Sequence, residues 1–157
     1  MKDGHGRKID YLRISLTDRC NLRCIYCMPK EGIDLISHFD VLRIEEIERI
    51  VRVATRIGIK SVRLTGGEPT VRRGVVDLVR SLSSMPEIEN VSMTTNGILL
   101  PSMAAELKEA GLSRVNISLD TLDREQYARI TRRDRLPDTL AGIDLPKIGR
   151  ASCRERV

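Results

Sequence analysis

Aromatic side chains are nearly missing from this sequence, which has no tryptophan, one phenylalanine and three tyrosines in 157 residues. Binding of single-stranded nucleic acid relies on rings for bases to stack on, and no rings interleave with the basic residues here. The net charge is +5, but Lys147, Arg150, Arg154 and Arg156 against Glu155 alone put +3 in the last eleven residues and leave +2 for the preceding 146. With the excess in a tail rather than on a face, no nucleic-acid partner is expected. Long apolar runs are also lacking: nothing approaches the length of a bilayer-spanning helix, and "MKDGHGRKID" is too polar for a secretory signal. No membrane partner and a cytoplasmic location are the expectations. Cysteine is sparse and uneven, with Cys20, Cys24 and Cys27 inside eight residues and Cys153 far away. A secreted disulfide scaffold spreads its cysteines through the fold, so clustered thiols read as metal ligands instead.

A content of 41% hydrophobic and 31% charged residues is that of a globular domain, and the length suits one core. Four short segments alternate apolar and polar residues: 11–17, 61–65, 91–95 and 115–120. Each has the period of two of a strand with unlike faces. Helices are expected over 44–57, 75–82, 101–110 and 123–130. In the first, Ile44, Ile47, Ile50, Val51, Ala54 and Ile57 form a stripe, with Gly58 as its stop. Pro101 opens the third and Gly111 closes it.

Strands separated by single helices indicate a parallel α/β arrangement. A parallel sheet covered on both faces has strands that read as continuous apolar runs. Here one face carries Arg13, Ser15 and Thr17, then Arg63 and Thr65, then Ser92 and Thr94, then Asn116, Ser118 and Asp120. Burying such groups under a second helix layer would cost several kcal/mol each without partners. An incomplete βα barrel of about four βα units, with helices outside and the polar face lining a ligand cavity, removes the conflict. A sheet whose polar face is merely solvated is the plainer alternative.

The spacing Cys20-x-x-x-Cys24-x-x-Cys27 begins just past the first strand, at the end where βα barrels keep their active sites. Three thiolates on one loop can hold three irons of a [4Fe–4S] cube and leave one iron open. Zinc is the alternative, with His38 as a fourth ligand, in a non-enzymatic zinc-binding module.

"CNLRCIYC" resembles the Cys-x-x-x-Cys-x-aromatic-Cys signature of the radical S-adenosylmethionine superfamily. More narrowly, "YLRISLTDRCNLRCIYCMP", "VRLTGGEP", "TTNG" and "NISLD", in that order, resemble the GTP 3′,8-cyclase family of molybdenum-cofactor biosynthesis. The resemblance implies that Cys20, Cys24 and Cys27 ligate the cluster and that S-adenosylmethionine chelates the open iron. It further implies S-adenosylmethionine contacts at Tyr26, Gly67 and Ser118, and GTP contacts at Arg13, Arg63 and Thr94. Left to themselves, the two arginines read equally well as members of internal salt bridges, with Asp120 as the acid. The implied reaction is hydrogen abstraction at C3′ of GTP by a 5′-deoxyadenosyl radical and closure onto C8. Implied partners are GTP and an electron donor such as a flavodoxin or ferredoxin, and a homodimer is compatible with the family. Another radical S-adenosylmethionine enzyme is the nearest alternative activity.

The resemblance covers residues 6–144. Members of the family are about twice this length, and a second [4Fe–4S] cluster is expected only in their missing half. Residues 145–157 are expected to be an unrelated or artefactual tail with no following strand, Cys153 has no partner spacing, and the isolated chain is expected to be inactive. Arg43 and Gly74 replace better helix caps. "Arg72-Arg73" and "Arg132-Arg133-Asp134-Arg135" read as solvated or capping charges, and Asn96-Gly97 as a turn.

Overall fold

The computed structural model describes residues 2–37, 39–145 and, for the backbone only, 152–155. Five strands form one parallel sheet in the order β1-β2-β3-β4-β5: Tyr11–Ser15, Ser61–Thr65, Asn90–Thr95, Arg114–Leu119 and Ser152–Glu155. The helices are α1 (Ile44–Arg56), α2 (Val75–Ser83), α3 (Leu100–Glu109), α4 (Arg124–Thr131) and α5 (Leu136–Ile143). A single 3-10 turn, Pro69–Val71, follows β2. No helix among the described residues is long and apolar enough to cross a membrane.

The alternation seen in the sequence sorts the two faces as expected. Val62, Leu64, Val91, Met93, Val115 and Ile117 point into one core, which takes Ile47 and Val51 from α1, the apolar face of α2, and Leu100 and Leu107 from α3. Burying side chains of this size stabilises by about 1.5–3 kcal/mol each. On the opposite face the register puts Arg13 beside Arg63, Arg63 beside Ser92, and Ser92 beside Arg114. The next rung pairs Ser15 with Thr65 and, across β3, Thr94 with Asn116.

The stripe on α1 is narrower than the sequence suggests. Ile47 and Val51 are buried, but Ile50 and Ile57 are 45% and 55% exposed, because α1 meets the sheet along one line only. Arg43 is a better helix start than its type predicts: the Glu46 carboxylate accepts from the Arg43 backbone N–H at 2.7 Å and from its guanidinium at 3.3 Å. At the start of α2, Gly74 has φ +79°, a conformation that favours glycine over any side chain.

Two elements were not expected. Helix α5 carries Leu136, Leu140 and Ile143 at helical spacing, with Pro137 in its first turn, and these pack with Leu119 and Tyr127 as a small second core. The expectation of no strand after residue 144 is corrected by β5, which pairs in parallel with β4 from Asn116↔Ser152 to Leu119↔Glu155. An open strand edge offers its N–H and C=O groups to any extended segment regardless of side chains, which is why side-chain pattern did not announce β5.

Gly142 of α5 lies against the β3–α3 turn, where an added Cβ would meet the Gly97 carbonyl oxygen at 2.4 Å. Gly142→Ala is therefore expected to lower stability by about 1–3 kcal/mol. Urea denaturation checks this, and an unchanged midpoint would count against the seat of α5.

Candidate functional site

The loop that leaves β1 carries Cys20, Cys24 and Cys27, and its path is set by three neighbours. The first is the turn after β2. Gly67 N–H donates to the Thr17 carbonyl at 2.6 Å and Glu68 N–H to the Arg19 carbonyl at 2.8 Å. Neither glycine has room for a side chain: a Cβ at Gly66 would sit 2.6 Å from Thr17 O, and one at Gly67 2.4 Å from Arg19 O. The glycines thus bring two backbones together.

The second neighbour is the end of β3. Glu68 is 1% exposed, yet its carboxylate is fully engaged. It accepts from Thr70 N at 3.0 Å, Thr70 Oγ1 at 2.6 Å, Thr95 Oγ1 at 2.6 Å and Asn96 N at 2.7 Å. Asn96 then donates through Nδ2 to Asn21 Oδ1 at 2.6 Å, with Cys20 Sγ 4.0 Å away. So Asn96 is more than a turn residue: it carries the order of the sheet tip into the cysteine loop.

The third is the C-terminal end of α4. The last carbonyls of a helix have no partner within it. Here the Ile130 and Thr131 carbonyls accept from Ile25 N–H at 2.9 Å and Arg23 N–H at 3.0 Å. Arg132, in the left-handed region at φ 55°, donates to the Met28 carbonyl at 2.9 Å and the Arg23 carbonyl at 3.3 Å. Arg132 caps, as expected, but what it caps is the cysteine loop. Asp134 pairs with Arg124 at 2.9 Å and Arg135 with Asp138 at 2.7 Å.

Between these anchors, Cys27 N–H and Met28 N–H both donate to the Cys24 carbonyl, at 2.9 and 3.1 Å, forming one tight turn. Burial pushes the Cys24 thiol up to about 11, and the neighbouring Cys27 and Cys20 add to the shift. Burial likewise raises Cys20, with Glu68 contributing. The Cys20 and Cys24 thiols, both raised by burial with neighbouring anionic groups adding, fit a cationic inorganic core, which takes one thiolate per iron. Among the described residues no three His, Cys, Asp or Glu side chains, Cys20, Cys24 and Cys27 included, converge on a single ion. His38 lies outside the described residues. Asp18 Oδ2 accepts from Ile36 N–H at 2.6 Å, while Asp18 Oδ1 is buried with no partner among the described residues, an acceptor left for a further donor.

The remaining sequence candidates lie on the polar face or at its rim. Tyr26 donates its hydroxyl to Asp120 at 2.6 Å, just past the end of β4, and burial together with that bond raises its pKa. Asp120 therefore binds the tyrosine, and among the described residues it forms no ion pair with Arg13 or Arg63. Arg13 reaches up to Thr65 Oγ1 at 3.5 Å, and Arg63 reaches Ser92 Oγ at 3.4 Å with its guanidinium 5.4 Å from the Tyr11 ring. Thr94 is half-buried and Ser118 exposed, both near the cysteine end.

This open parallel sheet, with a three-cysteine loop at the carboxyl end of β1, matches the model of the radical S-adenosylmethionine superfamily over residues 14–148, and the chain belongs to that superfamily. Membership brings S-adenosylmethionine and a [4Fe–4S] cluster as cofactors. Among curated relatives, the GTP 3′,8-cyclase of Petrotoga mobilis is 59% identical over 143 residues, which are 91% of this chain and 44% of that protein. That of Pelotomaculum thermopropionicum is 57% identical with the same coverage. The chain therefore spans under half the length of these relatives. Of solved structures, Streptococcus suis SuiB bound to S-adenosylmethionine is similar at a TM-score of 0.67 and 25% identity, covering 85% of this chain and 28% of that one. Methylornithine synthase, at 0.65 and 18% identity over 85% and 40%, shows the shared fold alone.

Two outcomes follow for this site. Glu68→Ala strips the acceptor from four buried donors and is expected to cost about 3 kcal/mol or more in urea denaturation; a loss below about 1 kcal/mol would contradict the hub. With a pKa raised to about 11, Cys24 holds little thiolate near neutrality. Alkylation of the metal-free chain at pH 8, followed by peptide mass spectrometry, should modify exposed Cys27 well before Cys24, and equal rates would count against the buried setting.

Proposed function

We propose that this chain is the radical-initiating part of a GTP 3′,8-cyclase, the enzyme that converts GTP to 3′,8-cyclo-7,8-dihydro-GTP in molybdenum-cofactor biosynthesis. In this reading Cys20, Cys24 and Cys27 hold the [4Fe–4S] cluster and leave one iron open. Tyr26, Gly67 and Ser118 contact S-adenosylmethionine, while Arg13, Arg63 and Thr94 receive GTP. The chemistry supplied by the bound cofactors is one-electron cleavage of S-adenosylmethionine to a 5′-deoxyadenosyl radical, with the electron coming from a flavodoxin- or ferredoxin-type donor.

One observation carries the reading: an open, polar sheet face bearing two arginines outside any ion pair among the described residues leads straight to the cysteine loop. A guanidinium on such a face calls for an anion, and the triphosphate of GTP supplies one. Tyr26, held by Asp120 at 2.6 Å, stands where it can wall a nucleoside against the loop. The Glu68–Asn96–Asn21 chain ties the loop to the end of β3 beside Cys20.

The chain spans under half the length of its GTP 3′,8-cyclase relatives, and the 157 residues tested by themselves are expected to start the chemistry and not complete it. Anaerobic reconstitution should give a brown protein with about four iron and four sulfide per chain. Reduced with dithionite, it should release 5′-deoxyadenosine from S-adenosylmethionine yet form no cyclised GTP. Cyclised product would overturn the division of labour. A colourless zinc protein would overturn the cluster.

A further inference from the structure

The polar face does not end at the two arginines already assigned. Along one rung of the sheet the register reads Arg13, Arg63, Ser92, Arg114. Arg114 opens β4, and because Val115, Ile117 and Leu119 are buried in the cores, Arg114 shares the opposite face with Asn116 and Ser118. Neighbouring strands lie about 4.8 Å apart, so Arg63 and Arg114 stand about 10 Å apart with Ser92 between them. Arg63 already leans toward that gap, with Nε 3.4 Å from Ser92 Oγ. The Ser92 hydroxyl is itself fixed, donating to the Val62 carbonyl at 3.2 Å.

The two arginines of β1 and β2 also part company. Arg13 turns toward Thr65 at the carboxyl end of the sheet, near the cysteine loop. Arg63 turns the other way, its guanidinium 5.4 Å from the ring of Tyr11, the first residue of β1. The face therefore has an upper half beside the cysteines and a lower half bounded by Tyr11, Arg63 and Arg114. No ion pair among the described residues includes Arg63 or Arg114. Two like charges across a gap, without a carboxylate between them, repel unless an anion fills the space.

We propose that Arg114 is a third anion-binding residue of this face and, with Arg63, clamps the polyphosphate tail of the nucleotide in the lower half. This rests on the GTP reading and deepens it. Recognition falls on the terminal phosphates, so the pair separates a nucleoside triphosphate from its monophosphate, while the base and ribose are left to the upper half.

The test is titration calorimetry of the chain at low ionic strength with inorganic tripolyphosphate, GTP and GMP. Arg114→Gln is compared with Arg52→Gln, which removes the same charge from the exposed side of α1, and with Arg114→Lys, which keeps the charge and loses the fork. A charge-assisted contact of this kind corresponds to about a tenfold loss in affinity. That loss is expected for tripolyphosphate and GTP with Arg114→Gln, a smaller one with Arg114→Lys, and none with Arg52→Gln; GMP binding should be unmoved. Equal behaviour of Arg114→Gln and Arg52→Gln, or no tripolyphosphate binding by the unsubstituted chain, would overturn the inference. Tripolyphosphate binding that needs Arg114 while GTP fails to bind would uphold the clamp and remove the GTP reading.

Discussion

Two backbone hydrogen bonds, from Gly67 to Thr17 and from Glu68 to Arg19, hold the cysteine loop to the turn after β2, and the site depends on them. They form only because residues 66 and 67 have no side chains; a single methyl at 67 would lie inside the Arg19 carbonyl. Such an approach leaves the loop no freedom at its root. Glu68 then continues the constraint inward, since a buried carboxylate with four donors ties the turn to Thr95 and Asn96 at the end of β3. Buried charges persist when hydrogen-bonded on this scale and are costly otherwise. From Asn96 the chain of contacts returns to Asn21, beside Cys20. The loop that presents the thiols is thus tied to the sheet at Thr17, Arg19 and Asn21.

A second constraint is the division of the sheet. Apolar residues on one face bury the helices, and the polar residues on the other are left for a ligand. The same alternation that stabilises the fold therefore leaves a polar face beside the cysteine loop, with no separate sequence device for each. Arg13 and Arg63 sit in adjacent strands at matching register, a placement that like charges tolerate on an open face and that a bound anion turns to advantage.

Much of this was legible in the sequence. The period of two exposed both faces, and the Cys-x-x-x-Cys-x-x-Cys spacing marked the loop. What escaped notice was of a different kind. Glu68 drew no role because nothing local shows that Thr70, Thr95 and Asn96 will surround it. Arg132 reads as a solvated or capping charge, and what it caps stays hidden because its acceptors, the carbonyls of Arg23 and Met28, lie over a hundred residues away in sequence. Helix α5 is short, and its Leu136, Leu140 and Ile143 make too brief a stripe to stand out; β5 pairs by backbone alone. The approach of Gly66 and Gly67 to the Thr17 and Arg19 backbone went unread, since a sequence does not show which backbone a glycine turn will meet.

In the reading proposed above, Cys20, Cys24 and Cys27 hold a [4Fe–4S] cluster with one open iron in a chain that spans under half the length of its curated relatives. Electron paramagnetic resonance of the reconstituted, dithionite-reduced chain tests it most directly, with S-adenosylmethionine present and absent. The account predicts a reduced [4Fe–4S] signal whose g-values shift when S-adenosylmethionine is added, because the iron without a protein ligand takes it up. A signal indifferent to S-adenosylmethionine, or none at all, would contradict it.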